Sequence, residues 1–502
     1  MSASSAASES TYFTDRRARI AIDLGAESCR VSLLRWIDSE PVIHPIARIA
    51  NAPYADAGGN LHWPFRALVG QLHEALRRAA DLAPEGIGSI GVDGWAVDYV
   101  RLNERGEATE DPFCYRDERS VAAKHALDAA LAPEQIFAST GVQPLRINTL
   151  YQLTADRISG KQQQSWLLLP EYLLHSLGAE PVAEFTNATH TGLVDAATRQ
   201  WSPELFARAS LDIRCAPRIV APGTVVGSLR TALAQHPACR DSALIAPACH
   251  DTASAIATLG ASASDAYIIC GTWSLVGTEL THPLILPRAL EAGFTNLGAA
   301  SGDYCFHTNI NGMWMLRQCI DAWSAEGRDA SRIGYPQLLR AAEAVALPAT
   351  AIVPVDAPEL LLPGNMPGKI RRLLQEATGS CLPRHEADEA VLTRLILNSL
   401  AHRYARAITD VEELTGRRIE SLHVLGGGAR NALLLRLIAE STGRPVKAGA
   451  VEASTLGNFA LQLAAHSDSA HRSEAIRQAA QLCRSAQWLD SLHPMAPEQR
   501  SL

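Results

Sequence analysis

The sequence predicts an α/β protein of two similar lobes with a cleft between them, and three observations predict it. Residues 20–31 (IAIDLGAESCRV) and 267–277 (YIICGTWSLVG) read as the same local object: an apolar strand, a tight turn of glycine and small hydroxyl residues, and a second strand. Short strands alternate with amphipathic helical stripes along the chain. The chain has 502 residues, and single cores stop growing near ~250–300 residues. A turn of this kind repeated about half a chain apart points to a polyphosphate held between the two lobes.

From the N-terminus, the polar run MSASSAASESTYFTDRRAR has no continuous apolar segment, so residues 1–18 are expected to be a disordered tail. Residues 20–23, 31–35, 89–92 and 97–102 read as strands, with β-branched residues closed by glycine or charged turns. Residues 65–82 read as a helix, because Phe65, Leu68, Val69, Leu72, Leu76, Ala79 and Ala80 recur at three- and four-residue spacing. Val391, Leu392, Leu395, Ile396, Leu400, Tyr404 and Ile408 repeat that stripe before a short strand at 422–425 and a glycine triplet. The expected boundaries are an N-terminal lobe over 19–245, a C-terminal lobe over 246–485, and a tail over 486–502.

Composition narrows the function class. A formal net charge of −8 without a clustered basic excess argues against nucleic acid or an anionic membrane surface as partner. No apolar run reaches the ~18 residues of a spanning helix. Ten cysteines are scattered without C-x-x-C pairs or paired His/Cys spacing, as expected of reduced thiols in a cytoplasmic protein rather than of a zinc site or disulfide framework.

Three places carry chemistry. In the two turns, Gly25 and Gly271 let the backbone approach a ligand, while Ser28, Thr272 and Ser274 add hydroxyl donors, making each turn a small anion cradle. An ordinary hairpin explains either turn alone; the duplication favours the cradle. His250-Asp251-Thr252 sets an imidazole, a carboxylate and a hydroxyl among small apolar neighbours, where a buried charge is costly unless paired or used. Asp251 is placed to cap a helix beginning at Ala253, and equally to accept a proton from a hydroxyl attacking phosphorus. Gly426-Gly427-Gly428 lies between a strand and a helix, leaving room for a flat group against the backbone; packing alone is the plainer account.

With these sites in order, the chain resembles the FGGY family of carbohydrate kinases over about residues 19–461. The segments that carry it are DLGAESCR, GVDGWAVDYV, YRDERS, GVQPLRINTLYQL, LLLPEYLLHSLGAE, EFTNATHTGLVD, CHDTASA, CGTWSLVGTEL, TNINGMWML, LGGGARN and VEASTLGN. The resemblance implies two ribonuclease H-like lobes, the fold shared with actin, hexokinase and the heat-shock ATPases, with the active site in the cleft between them. It implies ATP as co-substrate with Mg²⁺ and a small-molecule sugar as acceptor; with nucleic-acid and membrane partners excluded by the charge and the lack of an apolar span, a monomer is the expectation.

Residue by residue, Asp251 would be the general base. Ala96, His250, Asp251, Thr252 and Asn309 would hold the sugar. Ala26, Glu27, Ser28, Cys29 and Arg30 would form the first phosphate loop, with Thr272 at the γ-phosphate and Arg317 and Gly427 beside the nucleotide. Asp23 would orient the metal through water, and Trp95 would pack on the sugar or in the core. Three positions depart from the family pattern: Cys29 stands where glycine is usual, which would set a Cβ next to the phosphates, Ala96 adds a methyl to the pocket segment, and Arg317 replaces a glutamine. Within the family the segments match best the members that act on L-rhamnulose, implying transfer to its C1 hydroxyl; another ketose or polyol (L-fuculose, xylulose, glycerol) is the alternative. A nucleotide switch of the actin or chaperone kind is the reading from a different class, and sugar-stimulated ATP turnover separates the two.

Overall fold

The first sheet grows around the most apolar strand of the N-terminal half, β1 (Ala18–Leu24, ARIAIDL), which is buried along its whole length. The chain is known from a computed structural model that describes residues 14–260, 262–379, 388–467 and 471–489. The rest of the expected tails, 1–13 and 490–502, and Cys381 lie outside the described residues. β2 (Ser28–Ile37) and β3 (Glu40–Ala50) follow β1 as antiparallel neighbours. β4 (Ile87–Gly94) pairs with β1 in parallel, and β5 (Thr224–Ser228) and β6 (Ala243–Ala246) extend that side in the order β5-β6-β4-β1-β2-β3. A parallel pair buried on both faces needs helices above and below it. The helix Phe65–Asp81 supplies one cover through Phe65, Leu68, Leu72, Leu76, Ala79 and Ala80, as the periodicity predicts.

The second sheet repeats this plan. β7 (Asp265–Cys270) is antiparallel to β8 (Trp273–Leu280), parallel to β11 (Ser421–Leu425), and lies in the order β9-β10-β8-β7-β11-β12, with β9 at Phe294–Gly298, β10 at Tyr304–Asn311 and β12 at Val446–Ala448. In both sheets the central strand turns tightly into an antiparallel partner and later gains a parallel neighbour. The helix Asp388–Thr415 fills the core below the second sheet with Leu392, Leu395, Ile396, Leu400, Tyr404 and Ile408.

The chain then returns to the first sheet. The helices Ala453–Ala464 and Arg472–Ser485 pack with Ala21, Leu34 and Ile43, and Gln487–Trp488 adds a seventh strand beside β3. The helix Ala453–Ala464 also lies against the helix Asp251–Ala257, and Gly457 permits it: a Cβ there would press into the Ser254 carbonyl. Among the described residues no helix is long and apolar enough to cross a membrane, and the described cysteines are free thiols.

Three local expectations are corrected. The strand expected over 97–102 is only Tyr99–Arg101, because Val97 takes φ +72° and its carbonyl accepts from Thr149 Oγ1 at 2.7 Å. Positive φ at a β-branched residue is an outlier that the surrounding bonds must hold in place. The helix expected from Ala253 starts at Asp251, with His250 as its N-cap, so Asp251 sits in the first turn instead of capping from outside. Ser274 is buried, its hydroxyl 2.7 Å from the Tyr404 hydroxyl; strand alternation turns it into the core and leaves Thr272 and Trp273 exposed at the turn.

Candidate active site

The site is built where two parallel strands end. Asp23 and Asp93 are directly registered partners at the C-terminal ends of β1 and β4. Like charges facing each other across a ladder repel, and burial sharpens the effect. Asp23 is held by Arg30, whose Nη1 donates at 2.8 Å, and by the Ser454 hydroxyl at 2.6 Å. Asp93 is fully buried; Asn458 Nδ2 donates to its Oδ2 at 2.6 Å, and its Oδ1 has no hydrogen-bond partner. Burial, then the charge of Asp23, pushes the Asp93 carboxyl far above the usual carboxylate range.

The segment 248–252 runs beside these strand ends. Gly94 N–H donates to the Cys249 carbonyl at 2.9 Å, and Gly94 bridges His250 in parallel, which brings Trp95 and Ala96 next to His250-Asp251-Thr252. Asp251 Oδ1 accepts from the Thr252 amide at 2.5 Å and from its hydroxyl at 3.2 Å. The Asp251 side chain is 34% exposed, so a substrate can reach it. Enclosure by protein, followed by the charge of Asp23, pushes its carboxyl up to about 7. That value lies near neutrality, where a carboxylate is poised to take up and give back a proton.

The first turn, Gly25 to Arg30, follows β1. A Cβ at Gly25 would sit inside contact distance of the Ser28 carbonyl, so the turn requires glycine. Ala26, Glu27, Ser28 and Arg30 keep accessible surface, whereas Cys29 is fully buried in the core of the first lobe. The expected Cβ beside the phosphates is therefore corrected: strand alternation points Cys29 inward, and burial pushes its thiol up to about 12, an unreactive value.

The second turn, Gly271-Thr272, is exposed at its tip. Its carbonyls accept from the amides of Met313 at 2.9 Å and Trp314 at 3.2 Å, tying it to the helix Trp314–Ala325. Gly426 and Gly428 lie on Cys270, where side chains would collide with its backbone and sulfur, and Gly426 takes φ +75°. Gly427 between them is exposed, with nothing near the place a Cβ would take. The glycine triplet thus abuts the second turn. Arg317 lies one turn along that helix, but its exposed guanidinium pairs with Asp321 at 3.1 Å, and no contact ties it to the turn. Asn309 is the exposed residue of β10, on the same face as His307, whose neighbourhood reaches His250.

Trp95 is buried, 4.7 Å from the Trp63 ring centroid. Both indoles donate to Asp98 Oδ2, at 3.0 and 2.7 Å, and Gln152 Nε2 reaches Asp98 Oδ1 at 3.0 Å. This network holds the strained Val97 turn and fixes the buried Ala96 beside it.

Sequence reasoning missed Asp93 and the residues of VEASTLGN that hold the carboxylates. A signal for Asp93 was present: it is an acid closing an otherwise apolar strand, as Asp23 is. Among the described residues no three His, Cys, Asp or Glu side chains form a metal cage. The facing Asp23 and Asp93, with one buried carboxylate oxygen unpartnered, nevertheless suit a divalent cation that keeps its waters and arrives on phosphate oxygens.

Comparison with known proteins agrees with this architecture. The N-terminal domain of the FGGY family of carbohydrate kinases matches residues 18–258 and the C-terminal domain matches 266–466. Proteins named rhamnulokinase are similar: that of Bacillus subtilis (strain 168) is 34% identical over 93% of this chain and 93% of its own length, and that of Pectobacterium carotovorum subsp. carotovorum (strain PC1) is 36% identical over 89% and 88%. Among solved structures, a ligand-bound xylulose kinase from Lactobacillus acidophilus superposes with TM-score 0.74 at 15% identity, over 93% of this chain and 96% of that one. The Plasmodium falciparum glycerol kinase with ADP gives 0.72 at 12%, over 92% of each chain. The fold is a two-lobed α/β fold, and the family models and curated relatives define a carbohydrate kinase. The chain belongs to the FGGY family of carbohydrate kinases, and is an enzyme that takes ATP as co-substrate and a sugar as acceptor.

Proposed function

We propose that this enzyme transfers the γ-phosphoryl group of ATP to the C1 hydroxyl of L-rhamnulose, giving L-rhamnulose 1-phosphate and ADP. The observation that carries the acceptor is the likeness to proteins named rhamnulokinase over nearly the whole chain. The residues offered to a compact ketose are Ala96 on its fixed turn, the His250-Asp251-Thr252 triplet that Gly94 brings beside it, and Asn309, the exposed residue of β10.

In the mechanism, Asp251 accepts the C1 hydroxyl proton as the oxygen attacks phosphorus. His250, Thr252, Ala96 and Asn309 orient the sugar, and the backbone of the two turns, with Thr272, cradles the phosphates. Arg30, already paired with Asp23 and 3.3 Å from Glu452, holds the first turn in place. Gly427 leaves room for the nucleotide, and Arg317 lies on the helix that the second turn is tied to. Asp23 and Asp93 would hold Mg²⁺ through water. Bound there, the cation supplies charge neutralisation for the phosphates. Closure of the lobes excludes water, which would otherwise compete with the sugar for the phosphoryl group.

A panel of L-rhamnulose, L-fuculose, xylulose and glycerol in a coupled ADP-release assay tests the assignment, with the phosphorylated carbon located by NMR. L-Rhamnulose is expected to give kcat/KM at least about tenfold above the others, a margin of ~1.4 kcal/mol. A different preferred acceptor, or a product phosphorylated away from C1, refutes it.

A further inference from the structure

Residues of the segment EFTNATHTGLVD hold the triplet that carries Asp251. Glu184 Oε2 accepts from the Cys249 amide at 2.8 Å, and Thr186 Oγ1 accepts from the His250 amide at 3.2 Å. Glu184 is fixed in turn by the Thr186 amide at 2.9 Å and hydroxyl at 2.5 Å, and its own amide donates to Glu171 Oε1 at 3.0 Å. These bonds fix the backbone. One further contact fixes a side chain: His190 Nε2 lies 3.0 Å from His250 Nδ1, with ring centroids 4.0 Å apart.

We propose that His190 is a positioning residue for the general base, holding the His250 ring so that its Nε2–H is directed at the Asp251 carboxylate. The proposal rests on the reading of Asp251 as the base. His250 Nε2 is 3.3 Å from Asp251 Oδ1. Facing the ionised carboxylate, which only accepts, the favoured tautomer carries the hydrogen on Nε2, and Nδ1 of the neutral ring is then a bare acceptor. His190 Nε2–H is the donor it faces. Burial keeps both rings neutral, pushing His250 down to about 3 and His190 well below the usual range. Two neutral imidazoles thus form a directed chain, from His190 to His250 to Asp251.

Removing the first donor lets His250 take the opposite tautomer. Asp251 then faces a bare ring nitrogen at 3.3 Å in place of an N–H, an unfavourable neighbour for its charged form, and its carboxyl rises further. The groups facing this chain are Asp23, Arg30, Asp93 and Thr252 around Asp251, and His307 on β10 beside both imidazoles. His307 Nδ1 is 3.0 Å from the Tyr267 hydroxyl.

The test compares His190→Phe, which keeps a ring without a donor, with His190→Gln, which offers an amide donor. In His190→Phe the acidic limb of kcat against pH is expected to move up by at least about half a unit, with kcat at pH 6.5 down about threefold and KM for ATP within about twofold. His190→Gln is expected to restore most of the shift. Should His190→Phe not fold, ¹⁵N NMR of the histidine-labelled wild-type enzyme reads the His250 tautomer directly: Nε2–H supports the proposal and Nδ1–H overturns it. An unchanged pH limb in folded His190→Phe also overturns it while leaving the base assignment intact. Wild-type turnover in Asp251→Asn removes the base assignment itself.

Discussion

Asp251→Asn keeps the shape of the side chain and removes its ability to accept the hydroxyl proton. General-base catalysis is typically worth about 10²–10⁴-fold, or roughly 3–5 kcal/mol of barrier. Turnover is therefore expected to fall by at least the lower factor, while ATP affinity by calorimetry stays within about twofold, because the turns proposed to cradle the phosphates lie on other segments. The pH profile adds a second signature. The carboxyl stands at about 7, so wild-type kcat should climb with pH through that value as Asp251 ionises, and the variant should lose this limb. Stability moves the opposite way. A carboxyl raised above its unfolded value binds a proton more tightly in the folded state, so its contribution is full below pH ~4 and is lost as pH rises through 7. Above that pH the asparagine variant escapes the cost of an ionised, partly enclosed carboxylate beside Asp23, a gain of ~1 kcal/mol after discounting for the open third of the side chain. Coupled ADP release at saturating L-rhamnulose, with denaturant unfolding at pH 6 and 8, measures both. An Asp251→Asn enzyme within tenfold of wild-type turnover, or one keeping the limb near pH 7, refutes the reasoning.

Two further outcomes are expected. Asp93→Asn removes one of two facing acids, so the Mg²⁺ concentration for half-maximal activity should rise by about tenfold while folding is unimpaired or improved; magnesium titrations with parallel thermal melts check it, and an unchanged Mg²⁺ requirement speaks against a cation beside this pair. Cys29→Gly restores the residue usual in the family, but because the thiol is buried in the core the change should cost ~1–2 kcal/mol of stability and leave KM for ATP within about twofold; a marked change in KM with unaltered stability would show that the side chain faces the nucleotide.

Much of the design is legible in the sequence because it rests on local pattern. The paired strand-turn-strand segments, the helical stripes at 65–82 and 391–408 and the glycine triplet all record short-range rules of strand, helix and backbone room, and the structure carries them. Misreadings came where a distant partner overrides the local rule. Val97 lies in a run of strand-forming residues, but Thr149 and Gln152 hold its carbonyl and force a turn. Ser274 reads as a turn hydroxyl, but Tyr404, 130 residues later, claims it.

By itself, then, the sequence determined two lobes, two matching strand-turn-strand segments and a carboxylate between an imidazole and a hydroxyl, since each is written in contiguous residues. Only the tertiary structure decided what surrounds them. Parallel pairing of β1 with β4 sets Asp93 against Asp23, a late helix returns to clamp Asp23 through Ser454, 431 positions on, and Asp93 through Asn458, 365 positions on, and His190 meets His250 across 60 residues. Crossover connections bring remote residues together at strand ends, and no local periodicity encodes which ones will meet.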